Sequence, residues 1–172
     1  LLTLAACIGN QFDFATLSVI SGMDIDNLKS DLREALTEGI VIPTEGGYKF
    51  AHDRIQQSAY SLIPETDKAA THLKIGRLLL HSATGEKQAA QLFDIADHYN
   101  QGLQLLEGEE KMQLLELNRK AALRAKNSSA FQHARKYVEM AIKLLPATAW
   151  KSNYPLALEL YTLAAEITFL CS

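Results

Sequence analysis

The residues of this chain that are best suited to chemistry are an adjacent histidine and aspartate, His52 and Asp53. They lie in the segment YKFAHDRIQQSAY, where a short extended pattern gives way to a helical one. A histidine can exchange protons near neutral pH, ligate a metal or donate a hydrogen bond to a phosphate, and an aspartate can be a base, a ligand or a helix cap. The pair has four interpretations, and each requires different neighbours.

The first interpretation is structural. Asp53 would be the N-cap of a helix, accepting hydrogen bonds from the backbone N–H groups of the first turn. Gln56, three residues later, would complete an arrangement like a capping box. His52 would then be a partly buried residue at the end of a strand, with no chemical role.

In the second interpretation the pair ligates a metal, as in metal-dependent phosphohydrolases of the HD type. Such a site also needs a histidine before the pair, and every other histidine follows it: His72, His81, His98 and His133. Asp94, Asp97 and His98 share a helix face at a spacing that can ligate a metal, but no second set accompanies them. We therefore expect an exposed polar face there and no metal site.

The third interpretation is a DNA-binding domain whose third helix enters the major groove and meets phosphates with lysine and arginine. The predicted third helix, residues 24–38, has only Lys29 and Arg33 as bases. Its acids are more numerous: Asp24, Asp26, Asp31, Glu34 and Glu38. A face of that sign repels the phosphate backbone, so the charge argues against nucleic acid as a partner.

The elements around the pair predict a mainly α fold that begins with a winged-helix domain over residues 1–64. Three short helices are predicted, the second capped by Asp13 and stopped by Gly22 and the third starting after Asp24. The segment IVIPTEGGYKF then predicts a β-hairpin, with Pro43 at an edge or strand end. A fourth helix runs from Asp53 to about residue 62.

After Pro64 the pattern is entirely helical, with breaks near residues 83–85, 107–108, 127–128 and 146–152, which predicts antiparallel helical hairpins over residues 65–172. We expect this arm to be truncated at the C-terminus, where the last helix would open another pair. Around the third break the residue types match those of a tetratricopeptide (TPR) repeat. Its small residues are Ala122, Ala134 and Ala141, its bulky residue is Val138 and its closing proline is Pro146. Asn118 occupies the place of the usual large aromatic residue. Trp150 and Tyr154 lie in the longest linker, in and just after the last break, where they could anchor the loop or meet a partner.

Composition narrows the setting of the protein. The chain has 172 residues, a net charge of −3 and two cysteines without a regular spacing, so we expect no disulfide framework and a reducing, cytoplasmic environment. Every apolar run is interrupted before the roughly 18 residues that a membrane span needs, so we expect a soluble protein. The first residues, LLTLAACIGN, read as the inside of a helix, which suggests a fragment of a longer protein.

The fourth interpretation comes from a family resemblance that connects these features. The segment FAHDRIQQSAYSLIP resembles the Met-His-Asp motif that closes the winged-helix domain of signal-transduction ATPases with numerous domains, the STAND class. LLTLAACIGNQFDFATLSVIS, LREALTEGIVIP and HLKIGRLLL resemble the region that follows the AAA-type ATPase module in large bacterial multi-domain sensor kinases. The similarity spans residues 1 to about 106 and continues more loosely through the repeats.

The resemblance implies that an ATPase core precedes this region in the intact protein and binds ADP or ATP with Mg²⁺. In that family the motif histidine contacts the β-phosphate of ADP, a role that falls here on His52, while Asp53 fixes the helix start. Ala51 occupies the motif position where methionine is common. This difference does not affect the contact made by the histidine. The chain has no GxxxxGK[ST] loop, so we expect it neither to hold nor to hydrolyse nucleotide by itself.

We therefore predict a non-catalytic regulatory fragment with no cofactor of its own. Its winged helix would sense the nucleotide state of the ATPase core, and its TPR-like arm would contact neighbouring sensor domains or a protein partner. The alternative is a helical-repeat protein-binding scaffold with a purely structural winged-helix cap. A DNA-binding regulator is the third and least favoured possibility.

Overall fold

The structure is a computed structural model that describes residues 1–82 and 84–171, with Lys87 described by its backbone only. It is mainly helical with one small three-stranded sheet, which confirms the predicted mainly α class. The chain divides into two compact units, Leu1–Gln88 and Ala89–Ser172. Each unit is described by itself.

The first unit begins with alternating helices and short strands. In chain order its elements are α1 (Leu2–Ile8), β1 (Gln11–Phe12), α2 (Phe14–Ser21), α3 (Ile25–Thr37), β2 (Val41–Thr44), β3 (Gly47–Phe50), α4 (Asp53–Ser61) and α5 (Glu65–Ser82). A further short helix, α6 (Gly85–Ala90), follows the first predicted break, of which Ala83 lies outside the described residues.

Local signals set the ends of α2 and α3 as predicted. Asp13 accepts hydrogen bonds from the backbone N–H and the hydroxyl of Thr16, both at 2.8 Å. Gly22 ends α2 in the left-handed conformation with φ 71°, which a residue without Cβ adopts at little cost. Asp24 caps α3 by accepting from the backbone N–H of Asn27 at 2.9 Å. These three predictions are confirmed.

The predicted hairpin is present, but the sheet contains one more strand than expected. β2 and β3 pair antiparallel through a two-residue loop, Glu45 and Gly46, and Pro43 lies on the edge strand β2. β1 pairs with the other side of β3, so the order is β1-β3-β2. The two residues of β1 were missed because so short a strand shows no alternation in sequence.

The core of the first unit lies between these helices and the sheet. Its buried residues come from α1, β1, α2, α3, β2 and β3: Ala5, Ala6, Phe12, Leu17, Leu28, Leu32, Ala35, Val41 and Phe50. Phe12 lies 5.7 Å from Phe50, centroid to centroid, and Tyr48 meets the edge of Phe14 at 4.9 Å. The unit also includes α5, which contacts α2, although the sequence assigned residues after 64 to the repeat arm.

The second unit consists of helices joined by short connections. Its main elements are α7 (Leu92–Gln101), a 3₁₀ turn at Leu103–Leu105, α8 (Gly108–Asn127), α9 (Phe131–Leu144), α10 (Ala149–Ser152) and α11 (Tyr154–Leu170). α8 packs against α7 and α9, and α9 packs against α11. The prediction of a simple break at residues 146–152 is wrong in detail, because one turn of helix forms there. A hydrogen bond from the Ala149 N–H to the Pro146 carbonyl marks its start.

Small residues allow α8 and α9 to approach closely. Ala122, Ala134, Val138 and Ala141 are all buried. Asn118 is fully buried as well, and it forms two reciprocal side-chain amide hydrogen bonds with Asn100 of α7, at 2.9 and 2.8 Å. Its Nδ2 also donates to the Leu114 carbonyl at 2.9 Å. A polar pair therefore fixes α8 against α7 where an aromatic residue was expected.

Candidate functional site

The junction between β3 and α4 holds the histidine-aspartate pair. His52 has extended backbone angles, φ −144° and ψ 146°, and its carbonyl accepts from the Ile55 N–H at 2.9 Å, so His52 is the N-cap residue. Asp53 is the first residue inside the helix. The prediction that Asp53 is the N-cap is therefore wrong by one residue. Its carboxylate lies in the first turn, where a negative charge is favourable for the helix dipole.

Gln56 does not complete a capping box. Its Nε2 instead donates a hydrogen bond to the Ala6 carbonyl at 2.8 Å, which ties α4 to α1. The capping prediction failed because a partner from another helix, invisible in the local sequence, competes for the Gln56 amide.

His52 itself is exposed, and its imidazole makes no capping hydrogen bond. The predicted partial burial of His52 is therefore also wrong, since the chain turns it outward at the strand end. As the N-cap residue, His52 lies at the N-terminal end of α4, a region of positive potential that favours anions.

The third helix presents acidic side chains to solvent. Its acids are all exposed: Asp24, Asp26, Asp31, Glu34 and Glu38. Lys29 approaches Asp26 at only 3.9 Å, and both side chains are solvated, so this ion pair contributes little. The surface of α3 thus has the wrong sign for a phosphate backbone, in line with the charge argument from sequence.

A second titratable cluster connects α1, α4 and α5. His72 is buried, and its Nε2 lies 2.9 Å from the Tyr60 hydroxyl. The ammonium group of Lys68 sits 4.7 Å from the centre of the Tyr60 ring and pairs with Glu65. Burial raises the pKa of Cys7 to about 11, with the Lys68 charge opposing the rise, so this thiol is a poor nucleophile near neutral pH.

Burial lowers the pKa of His72 below its usual 6.5, and the positive charge of Lys68 lowers it further. The unfolded chain therefore binds a proton at His72 more readily than the folded chain does. The stability that comes from keeping His72 neutral is complete above pH 6.5 and is lost as pH falls toward the folded pKa. We expect the free energy of unfolding to decrease between about pH 7.5 and about pH 5. Urea denaturation at both pH values measures it.

The matched variant for this prediction is His72→Gln, whose side-chain carbonyl can accept from the Tyr60 hydroxyl but does not titrate. We expect a smaller loss of stability between the two pH values in this variant than in the wild type. An equal loss in both proteins would show that another group causes the pH dependence.

Asp94, Asp97 and His98 on α7 do not form the exposed polar face that we expected from the sequence. His98 is buried, whereas Asp94 and Asp97 are at the surface. The prediction was wrong for His98 because α8 covers that side of α7. Over residues 1–82 and 84–171, no group of three or more histidine, cysteine or acidic side chains is placed to hold a metal ion.

Asp97 instead takes part in a polar groove that the sequence did not reveal. A cavity of about 310 Å³ is lined by Asp97, Asn100, His133, Lys136, Tyr137 and Met140. Asp97 stays accessible at the surface, but partial desolvation beside the groove raises its pKa, and a hydrogen bond from Tyr137 opposes this rise. Burial also raises the pKa of Tyr137. The groove joins residues from α7 and α9, so only packing brings them together.

Comparison with known proteins gives one signalling relative. Hybrid signal transduction histidine kinase G of Dictyostelium discoideum is 23% identical over an alignment 232 positions long, which includes 98% of this chain. The chain spans 7% of the length of that protein. No family model matches the chain. No solved structure matches it either.

The helices give no sign of a membrane span. Across the described parts of the chain, none is both long enough and apolar enough to cross a bilayer.

Proposed function

We propose that this chain is a non-catalytic regulatory region of a larger signalling protein. Similarity to a signal transduction histidine kinase over nearly the whole chain supports a signalling role. The order α1-β1-α2-α3-β2-β3, with a hairpin completing a small sheet, supports a winged-helix assignment for the first unit. The winged helix would respond to ADP or ATP with Mg²⁺ in an ATPase core of the same protein.

The observation that carries this proposal is the exposed imidazole of His52 at the start of α4, which makes no capping hydrogen bond. A side chain used for capping would be committed to the first turn, whereas this one can donate an N–H to the β-phosphate of ADP. Contact with ADP would favour one of two arrangements of the winged helix and the ATPase core. Loss of ADP would allow the other arrangement to form.

Replacement of His52 by alanine in the longer protein is expected to weaken ADP binding. A hydrogen bond to a charged group is worth about 1.5–3 kcal/mol, which corresponds to roughly a 10- to 100-fold rise in the dissociation constant. Isothermal titration with ADP measures this change.

The matched control is His81→Ala, which removes another exposed histidine from the same unit. We expect wild-type ADP affinity in this control. Unchanged ADP affinity in His52→Ala would remove the nucleotide-sensing role and leave the signalling assignment in place.

The second unit is proposed to be a TPR-like arm that contacts neighbouring sensor domains or a protein partner. The close packing of α8 and α9 through small residues supports this assignment. The competing function is a helical-repeat scaffold whose winged helix is only a structural cap. The exposed apolar side chains of α11 favour a binding role in either case. A Walker A loop upstream in the longer protein would favour the nucleotide switch over the scaffold.

A further inference from the structure

Helix α4, which begins directly after His52, is attached to the first unit without a buried side chain of its own. The structure describes all nine of its residues, and none of them is buried. Ile55, Ala59 and Tyr60 are only partly buried where they pack against the core. Individual hydrogen bonds therefore carry a larger share of the attachment of α4 than they do for a helix such as α3, which buries three residues.

Two side-chain hydrogen bonds fix α4, one to α1 and one to α5, and we call them the two anchors. The Gln56 Nε2 donates to the Ala6 carbonyl of α1 at 2.8 Å. The Tyr60 hydroxyl lies 2.9 Å from the His72 Nε2 of α5, and the ammonium group of Lys68 packs over the Tyr60 ring. Gln56 and Tyr60 are four residues apart, so they lie on one side of the helix. The two anchors thus set the orientation of α4 against α1 and α5.

The Gln56 anchor is connected to His52 through the first turn of the helix. The Gln56 N–H donates to the His52 carbonyl at 3.3 Å, and the Ile55 N–H donates to the same carbonyl at 2.9 Å. Just before His52, the Ala51 N–H donates to the Ile40 carbonyl at 3.0 Å. His52 is therefore held between the chain that leads out of β3 and an anchored helix, so a change in the orientation of α4 moves its imidazole.

We propose that Gln56 and Tyr60 are positioning residues, which orient α4 so that His52 reaches the β-phosphate of ADP. This rests on the nucleotide-sensing role proposed for His52 and extends the control of that contact to α1 and α5. A hydrogen bond tolerates only roughly a few tenths of an ångström in the distance between donor and acceptor, so a small rotation of α4 is enough to weaken it. By thermodynamic linkage, bound ADP would in turn favour the orientation of α4 that the two anchors stabilise.

Removal of either anchor should weaken ADP binding in the longer protein, although neither side chain is proposed to touch the nucleotide. Gln56→Met keeps an unbranched side chain of similar length but has no donor, and Tyr60→Phe removes only the hydroxyl. The loss of one hydrogen bond should raise the ADP dissociation constant roughly 2- to 10-fold, less than His52→Ala does. Isothermal titration measures the change. Gln57→Met is the matched control, because Gln57 is the next residue and is exposed, and it should bind ADP as the wild type does.

The imidazole of His52 can also be observed in this chain without nucleotide. In nuclear magnetic resonance spectra its ring signal, assigned by its loss in His52→Ala, should shift in Gln56→Met and Tyr60→Phe. None of these anchor substitutions alters a charge, so the shift reports a change in the surroundings of the ring. The signal should stay in place in Gln57→Met. Circular dichroism confirms that each variant is folded.

Wild-type behaviour of both anchor variants would contradict the positioning role. If His52→Ala weakens ADP binding while Gln56→Met and Tyr60→Phe keep wild-type affinity and an unshifted His52 signal, the positioning role is overturned and nucleotide sensing stays in place. Wild-type ADP affinity in all three variants would remove both.

Discussion

Replacement of Gly47 by alanine is expected to unfold the first unit readily. A Cβ at this position would lie 2.4 Å from the Phe12 carbonyl oxygen and 2.9 Å from the Asp13 Cα, both backbone atoms that cannot move cheaply. Gly47 also has φ +155°, a conformation that residues with a side chain rarely adopt. Steric overlap and backbone strain together should cost about 3 kcal/mol or more.

Gly46→Ala is a close control for this variant. Gly46 is the neighbouring residue of the same hairpin loop, and a Cβ there would meet nothing within 4 Å. We expect its free energy of unfolding to stay within about 0.5 kcal/mol of the wild type. Urea denaturation followed by circular dichroism measures both variants. Similar stability in the two would mean that the hairpin does not pack closely on the end of β1.

Asn118→Leu should destabilise the second unit by about 2–3 kcal/mol. The change removes both partners of the Asn100 amide as well as the donor to the Leu114 carbonyl. Asn118 is fully buried, and the cost falls on the groups left behind, the half-buried amide of Asn100 and the Leu114 carbonyl. Denaturation followed by the fluorescence of Trp150, which lies in the same unit, measures the loss.

A second substitution separates the polar pair from simple packing. In the double variant Asn100→Leu with Asn118→Leu, no amide remains without a partner, so we expect much of the lost stability to return. Asn127→Ala, at the exposed end of α8, serves as the control and should change stability by less than about 0.5 kcal/mol. If the double variant were less stable than Asn118→Leu, the amide pair would not be the source of the effect.

Local signals explain why much of the first unit was predictable. The caps at Asp13 and Asp24 and the glycine at residue 22 each act within a few residues of their own position, so their sequence pattern carries the full physical cause. The hairpin was predictable for the same reason. Two paired strands joined by a two-residue loop form a local structure whose turn chemistry can be read directly.

Errors occurred where a distant partner decided the outcome. Gln56 was expected to bond to its own helix terminus, but the Ala6 carbonyl, fifty residues away, holds it. His98 was expected at the surface because only its own helix was considered, and a neighbouring helix buries it. The strand β1 exists only because β3 supplies its hydrogen-bonding partner.

At the candidate site, too, the local features were predictable and the features that depend on tertiary structure were not. The type and position of His52, at the point where a strand becomes a helix, could be read from the sequence, and so could the acidic sign of α3. The exposure of the imidazole and its freedom from capping came only from the tertiary structure, because both depend on how β3 leads into α4.

By itself the sequence determined the mainly helical class, the places where α2 and α3 begin and the acidic sign of α3, since these follow from residue type and short-range geometry. Only the tertiary structure decided that Asn118 pairs with Asn100, that Gly47 lies against β1 and that His98 is buried. Each of these depends on which atoms from distant parts of the chain meet, and packing alone determines that.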